Sequence, residues 1–328
     1  MTVLVEEAPH EARGRAMGSS MQLLATGPQA SAQRALEQAA AMVADLEARW
    51  SRFLPTSEIS QLNAAPAFTP VAVSAPTIEL VARGVEAWRR TAGAFDPTML
   101  LLTIDAGYDR SFEQLSGPTN PAERSELPST TIVVDTGLAA SSRCGEIMVD
   151  RKAGTVTLPA DCGFDPGGLG KGLAADLIAE AMLGWGADGA LVNLGGDLRC
   201  LGRAPSPGWW TVALPDESAA DGRRQVQLVD GGVATSTCRR RRWTTATGQA
   251  RHQTHHLIDP SLRGASTAAA HAVTVVAASA CDAETVATAL AAAESPSLEP
   301  RSLGGAAVLL TTSDGSTSGH NGIDRYLR

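Results

Sequence analysis

The stretch 164–185 limits the possible folds of this chain more than any other. FDPGGLGKG (164–172) leads into a segment of helical period, with Leu169, Leu173, Ala174, Leu177, Ile178, Ala181, Met182 and Trp185 on one apolar stripe. Glycines let a backbone come close to a ligand, and a helix start offers free N–H groups and partial positive charge, which suits phosphate. Lys171 adds a full charge in the first turn, against the helix dipole, where an anion would compensate it. The alternative is a plain turn with Lys171 in solvent. Known phosphate loops do not fit: a P-loop needs Gly where Asp165 stands and Ser or Thr where Gly172 stands, and G-x-G-x-x-G is absent. Lys171 is also one of only two lysines, with Lys152, among 27 basic residues.

Around this helix the pattern predicts α+β architecture. Helices are expected at 29–52, from Ser74 to near Gly93, and at 281–293. Strands are expected at 20–26, 131–134, 146–150, 154–158, 209–214, 225–236, 255–258, 272–277 and 305–312, with strand, Gly-Gly turn, strand over 187–202. Several strands follow one another without helices, which favours mixed sheets with packed helices over a doubly wound fold. Residues 1–16 are polar and read as a flexible N-terminus, 17–312 as the folded domain and 313–328 as a tail. Residues 105–130, rich in Gly, Pro, Ser, Thr and acids, read as a linker or surface excursion.

The 328 residues are 44% apolar and 19% charged, a globular composition with a large core. A net charge of −8 argues against non-specific nucleic-acid binding. No run of about 18 apolar residues suggests a membrane span, and the first twenty residues lack the apolar core of a signal peptide. Five scattered cysteines without C-x-x-C spacing fit neither a zinc site nor a disulfide framework. The expected compartment is cytoplasmic.

Three segments carry chemistry. HQTHHLIDP (252–260) sets three His beside an Asp, as metal ligands, as a general base or as surface histidines. On a strand His255 and His256 would face opposite ways, so at most one enters a given site. DAETVATAL (282–290) places Glu284 and Thr288 on one helix face, where a carboxylate and a hydroxyl suit Mg2+ or simply enrich a helix start in acid. GAFDP (93–97) and NLGGD (193–197) each place an Asp at a Gly-rich turn, usually structural. RRRRW (239–243) reads as a solvated charge run or a contact to an acidic partner or phosphate. No G-x-S-x-G, H-E-x-x-H or kinase set is present.

Taken in order, MGSS, SRFLPTSEISQLN, GAFDPT, DPGGLGKGLAAD, LVNLGGDL, VATS, HHLIDP and AETVATAL resemble the ApbE family, the FAD:protein FMN transferases, over about 17–312, and RRRRW with HHLIDP resembles its actinobacterial branch. The resemblance implies an α+β fold with the flavin in a cleft between two lobes. It implies FAD as substrate, Mg2+ as cofactor and, as partner, a target flavoprotein whose Thr or Ser accepts FMN while AMP leaves. On this likeness Met17, Phe53, Ala94, Phe95, Asp96, Asp165, Lys171 and Ile258 would contact FAD. Gly168 (through its carbonyl), Glu284 and Thr288 would hold the metal, and His256 would be the catalytic base. FAD hydrolysis to FMN and AMP, or FAD binding without chemistry, are the alternatives. The chain departs from the family in having Glu284 where Asp is usual. It also has Ser261, Leu262 and Arg263 where I-D-P-x-T-G continues, and it shows no export signal although many relatives are exported lipoproteins.

Overall fold

The computed structural model of the protein describes residues 8–116, 142–205, 207–214, 224–239, 241–247, 250–262, 264–266, 270–293, 303–312 and 314–328. Its main sheet has eight strands: β1 (His10–Ala16), β2 (Ser19–Thr26), β3 (Gly189–Leu194), β4 (Asp197–Gly202), β5 (Gly231–Thr237), β6 (Ala270–Ala277), β7 (Ala307–Thr312) and β8 (Thr317–His320). Their order across the sheet is their order along the chain, and every adjacent pair is antiparallel. The seven described helices are α1 (Gln29–Trp50), α2 (Glu58–Ala64), α3 (Ala75–Arg90), α4 (Leu100–Asp105), α5 (Phe112–Ser116), α6 (Gly170–Gly184) and α7 (Ala280–Ala292). The first six lie in the long β2–β3 connection, and α7 joins β6 to β7.

Both faces of the sheet are covered, so its central strands are apolar on alternate sides. Leu23, Ala25, Ala190 and Val192 pack against α1 and α6, while Val273, Val275 and Val308 pack against α7. The opposite side chains, such as Leu191, Leu198 and Leu309, meet Trp210 and Ile323. A smaller lobe combines α3 with a three-stranded sheet of Val71–Ala72, Thr155–Thr157 and Met148–Asp150. It shares one continuous apolar core with α1 and α6.

The expected elements appear, with these differences. Residues 10–16, expected to be loose, form edge strand β1: an edge strand packs less of its surface, and only Ala16 is buried on it. The expected tail supplies β8 and the fully buried Ile323. The expected strand 225–236 is split by a turn at Val229–Asp230 into Gln225–Leu228 and β5. The expected strand 255–258 is broken, because His255 ends a ribbon of Arg242–Thr247 and Ala250–His255, and a new strand begins at Ile258. The expected strand 131–134 and most of the excursion 105–130 lie outside the described residues; within 105–116 the chain forms α5. No described helix is long and apolar enough to cross a membrane.

Candidate active site

The strand register brings the site together. Met21 pairs with Leu194, and Gly189 with Gly202, so the Met17–Gly18 and Gly195–Gly196 turns lie at the same end of the sheet. β5 runs toward that end, so the ribbon after it also emerges there. Met17 and Gly18 both have positive φ, +50° and +64°, as a two-residue hairpin turn requires, and the Met17 N–H donates to Glu47 at 2.8 Å.

Helices α6 and α7 meet backbone to backbone. A Cβ on Gly172 would sit 2.4 Å from the Ala280 carbonyl oxygen, and β5 packs on the same turn, where a Cβ on Gly232 would sit 2.3 Å from the Ala280 nitrogen. Asp176, one turn into α6, accepts the N–H groups of Ala280 and Cys281 at 2.8 and 2.9 Å, and the Ser279 hydroxyl accepts that of Asp282 at 3.1 Å. The free donors of the α7 start are thereby satisfied within the chain.

This contact sets α7 beside the glycine-rich entry of α6. The Lys171 ammonium contacts both Asp197 and Glu284, lying 2.6 Å from Glu284 Oε1. Glu284 Oε2 accepts the Gly172 N–H at 2.7 Å. Both carboxylates are almost fully buried. Burial pulls the Lys171 ammonium toward losing its proton, but Asp197 and Glu284 outweigh it and hold the group above the usual lysine range. Burial pushes the Asp197 carboxyl upward, Lys171 opposes this and Glu284 adds to it.

Gly168 takes φ +84°, and a Cβ there would lie 3.0 Å from Thr288 Oγ1 and 3.1 Å from Phe95 Cε2. The loop is therefore seated on Thr288 and Phe95. Glu284 and Thr288 share a face of α7, as their spacing implies. A carboxylate, a hydroxyl and a peptide carbonyl are hard oxygen donors that suit Mg2+, which keeps several waters and needs few protein ligands. Among the described residues no cluster of three His, Cys, Asp or Glu forms a metal site; an oxygen set with one carboxylate is a different arrangement.

The GAFDP turn is tied to the same loop. The Asp165 N–H donates to Pro97 O at 2.8 Å, and the Phe95 N–H to Thr91 Oγ1 at 3.0 Å. The Ala94 N–H donates to Thr91 O at 3.1 Å. Asp96 Oδ1 accepts the Thr98 amide and hydroxyl at 2.8 and 2.6 Å, leaving Oδ2 buried without a partner. Asp165 Oδ1 accepts the Gly167 N–H at 2.9 Å, and its Oδ2 lies 3.5 Å from Arg52 Nε.

The two histidines have different partners, on either side of the point where the ribbon ends at His255. His255 is turned to Ser266 O, 3.0 Å away. His256 bonds through its ring to the Arg241 backbone and leaves Nδ1 buried and unpartnered. A ring nitrogen bonded to backbone carbonyl carries the proton, so Nδ1 holds the lone pair. Burial, then the charges of Arg241, His255 and Lys171, push His256 down to about 3. Beyond it, Ile258 is buried and pairs with Ala265, and Asp259 Oδ1 accepts the Ser261 amide and hydroxyl at 2.8 and 2.6 Å. Ser261 thus closes the turn after Pro260.

Several participants escaped the sequence reading. Asp197 stood only as a turn residue, and RRRRW as a solvated run or a contact to an acidic partner or phosphate. In the structure Arg241 donates to Ser19 at 3.2 Å, and buried Trp243 donates through Nε1 to Ala106 O at 2.9 Å. Arg240 lies outside the described residues. Tyr108 carried no signal, and Arg52 stood only as part of the SRFLPTSEISQLN segment.

Fold and site define an α+β protein that gathers a buried lysine, hard oxygen donors and a histidine lone pair at one end of an antiparallel meander. The ApbE family model matches residues 17–299, and the chain belongs to the ApbE family. Among curated relatives, the FAD:protein FMN transferase of Haemophilus influenzae is 24% identical over 218 residues, 63% of this chain and 58% of that protein. The FAD:protein FMN transferase of Treponema pallidum is 26% identical over 283 residues, 80% of this chain and 72% of that protein. The crystal structure of the ApbE protein from Thermotoga maritima shares the fold, with a TM-score of 0.79 at 22% identity over 98% of this chain and 100% of that one. The apo flavinyl transferase ApbE of Pseudomonas stutzeri matches with a TM-score of 0.75 at 22% identity, over 99% and 98%.

Proposed function

We propose that this protein is a Mg2+-dependent FAD:protein FMN transferase. It moves FMN from FAD to a Thr or Ser hydroxyl of a target flavoprotein and releases AMP. The observation that carries this reading is the convergence of Lys171, the Gly168–Glu284–Thr288 oxygen set and the free Nδ1 of His256 on the fold of that family. The cytoplasm is the proposed compartment, in keeping with five free cysteines.

Met17, Phe53, Ala94, Phe95, Asp96, Asp165, Lys171 and Ile258 are the proposed FAD contacts. Gly168 O, Glu284 and Thr288 would hold Mg2+, which neutralises charge on the diphosphate when bound. The acceptor hydroxyl forms a bond to the phosphorus next to riboflavin as the P–O bond to AMP breaks. His256 Nδ1 takes the hydroxyl proton. Arg241 and Lys171 keep the imidazole neutral and able to accept it, and the arriving diphosphate offsets their charge and raises its basicity. Lys171 balances the negative charge that builds on the phosphates.

The test combines purified protein, FAD, Mg2+ and a flavin-accepting domain, following AMP by chromatography and the acceptor by mass. AMP that appears only with acceptor and metal, together with a mass gain equal to bound FMN, supports transfer. AMP with an unmodified acceptor would make the activity FAD hydrolysis.

A further inference from the structure

Arg52 sits at a junction that the site described above does not explain. Its side chain is 8% exposed. Its Cζ lies 4.2 Å from the Phe53 ring centroid and 4.4 Å from that of Tyr108, and those two rings are 5.7 Å apart. The guanidinium therefore occupies the notch between two tilted rings rather than a sandwich between them. Nη1 donates to Tyr108 O at 2.8 Å, and Nε faces Asp165 at 3.5 Å. Nη2 is buried with no partner.

A guanidinium presents five N–H donors in a fixed planar fork. Here two nitrogens are directed at protein and the third is left over in a buried place, which a purely structural arginine would avoid. Asp165 lies three residues before Gly168 on the same loop, so a ligand extending outward from Lys171 and Gly168 passes Asp165 and reaches this notch. The notch has the make-up of a nucleotide-reading surface, with aromatic faces for a flat ring system and a planar cation for its acceptor atoms.

We propose that Arg52 is a further binding residue for the flavin nucleotide, donating Nη2–H to an acceptor oxygen or nitrogen of FAD. This rests on the FAD-dependent reading above. Nη2 is covered in the ligand-free chain, so a ring must turn aside as the nucleotide enters. Phe53 is only half-buried and Tyr108 is held beneath Trp243, which makes Phe53 the ring that moves. Its contact with the cation is exchanged for stacking and a charged hydrogen bond.

The test is FAD binding to wild type, Arg52→Met and Arg52→Lys, followed by flavin fluorescence, with a thermal melt of each ligand-free protein to establish folding. Met fills the notch without donors; Lys keeps the charge without the fork. The expected result is a Kd raised about tenfold to a hundredfold in Arg52→Met, the worth of one hydrogen bond from a charged donor, with Arg52→Lys in between. A purely structural arginine would lower the melting temperature and leave the Kd of the folded protein alone. Equal Kd in wild type and both folded variants overturns this inference and leaves the proposed function standing. Absence of FAD binding by the wild type overturns both. If Arg52→Met does not fold, the Arg52→Lys comparison decides, and a Kd within twofold of wild type counts against the proposal.

Discussion

Glu284 Oε2 accepts the backbone N–H of Gly172 at 2.7 Å while its Oε1 meets the Lys171 ammonium, so one carboxylate on α7 binds two consecutive residues of α6. A glutamate side chain, one methylene longer than aspartate, gives the reach for both contacts. It also means that Lys171 competes with a cation for the same carboxylate.

Shortening the side chain should shift that competition. In Glu284→Asp the carboxylate cannot keep both α6 contacts, and Asp197 still pairs with Lys171. The expected outcome is transfer that saturates at lower Mg2+ than in wild type. Glu284→Gln, with no charge to offer a cation, should lose most Mg2+-dependent activity. A metal titration of both variants decides. Full activity in Glu284→Gln would remove Glu284 from the metal set.

Two glycines of α6 should respond with opposite signs. Alanine at Gly172 would push a Cβ into the Ala280 carbonyl, which as backbone cannot swing away. A cost of about 1–3 kcal/mol or more is expected, together with weakened FAD binding. Gly184 has open space around its Cβ position at the end of the same helix. Gly184→Ala should be neutral or stabilising by about 0.5–1 kcal/mol. Urea unfolding of both variants measures the difference, and equal midpoints would contradict the packing described.

The sequence displays local order well and distant encounter poorly. The Glu284–Thr288 face follows from a period of 3.6. The α6 stripe is kept only in part, since Leu177, Ala181 and Trp185 stay partly exposed while Ala175, Asp176 and Ala179 are buried, and His255 and His256 part across a strand break rather than by alternation along one strand. The Lys171–Glu284 pair joins residues 113 apart, and Arg52 meets Asp165 from another element, so neither has a local signal. Asp197 looked like an ordinary turn aspartate because its partner comes from a different connection. The edge strand β1 was missed because one flank has no strand to cover it and its polar residues resemble a loop. Only the order of motifs, carried by likeness to a family, linked these segments before the fold did.

Protonation of His256 should be a pH-dependent cost to folding. Its ordinary value is about 6.5 and the folded value about 3. Between these the unfolded chain binds more protons than the folded one, so stability rises with pH and is lost as pH falls from about 6.5 toward 3. His256→Ala removes that contribution. Unfolding midpoints at pH 7 and pH 5 should differ less in the variant than in wild type. His256→Ala should also bind FAD and fail to transfer FMN; transfer at the wild-type rate would end its role as the base.

Trp243 pins the ribbon that carries His256. Its ring lies 5.1 Å from that of Tyr108 and its Nε1–H bonds to Ala106 O. The ribbon is a two-stranded sheet of its own, outside the main meander. Losing its anchor should therefore free it locally without unfolding the eight-stranded core. Trp243→Ala is expected to slow FMN transfer at saturating FAD at least tenfold, since His256 no longer keeps its place against Arg241. The global unfolding midpoint should change little, while limited proteolysis should cut faster within 242–255. Trp243→Phe keeps a ring against Tyr108 and loses one hydrogen bond, worth about 1 kcal/mol, so it should retain most activity. Unchanged transfer and unchanged proteolysis in Trp243→Ala would show that the ribbon holds its position without this anchor. A large fall in global stability would instead make Trp243 part of the main core.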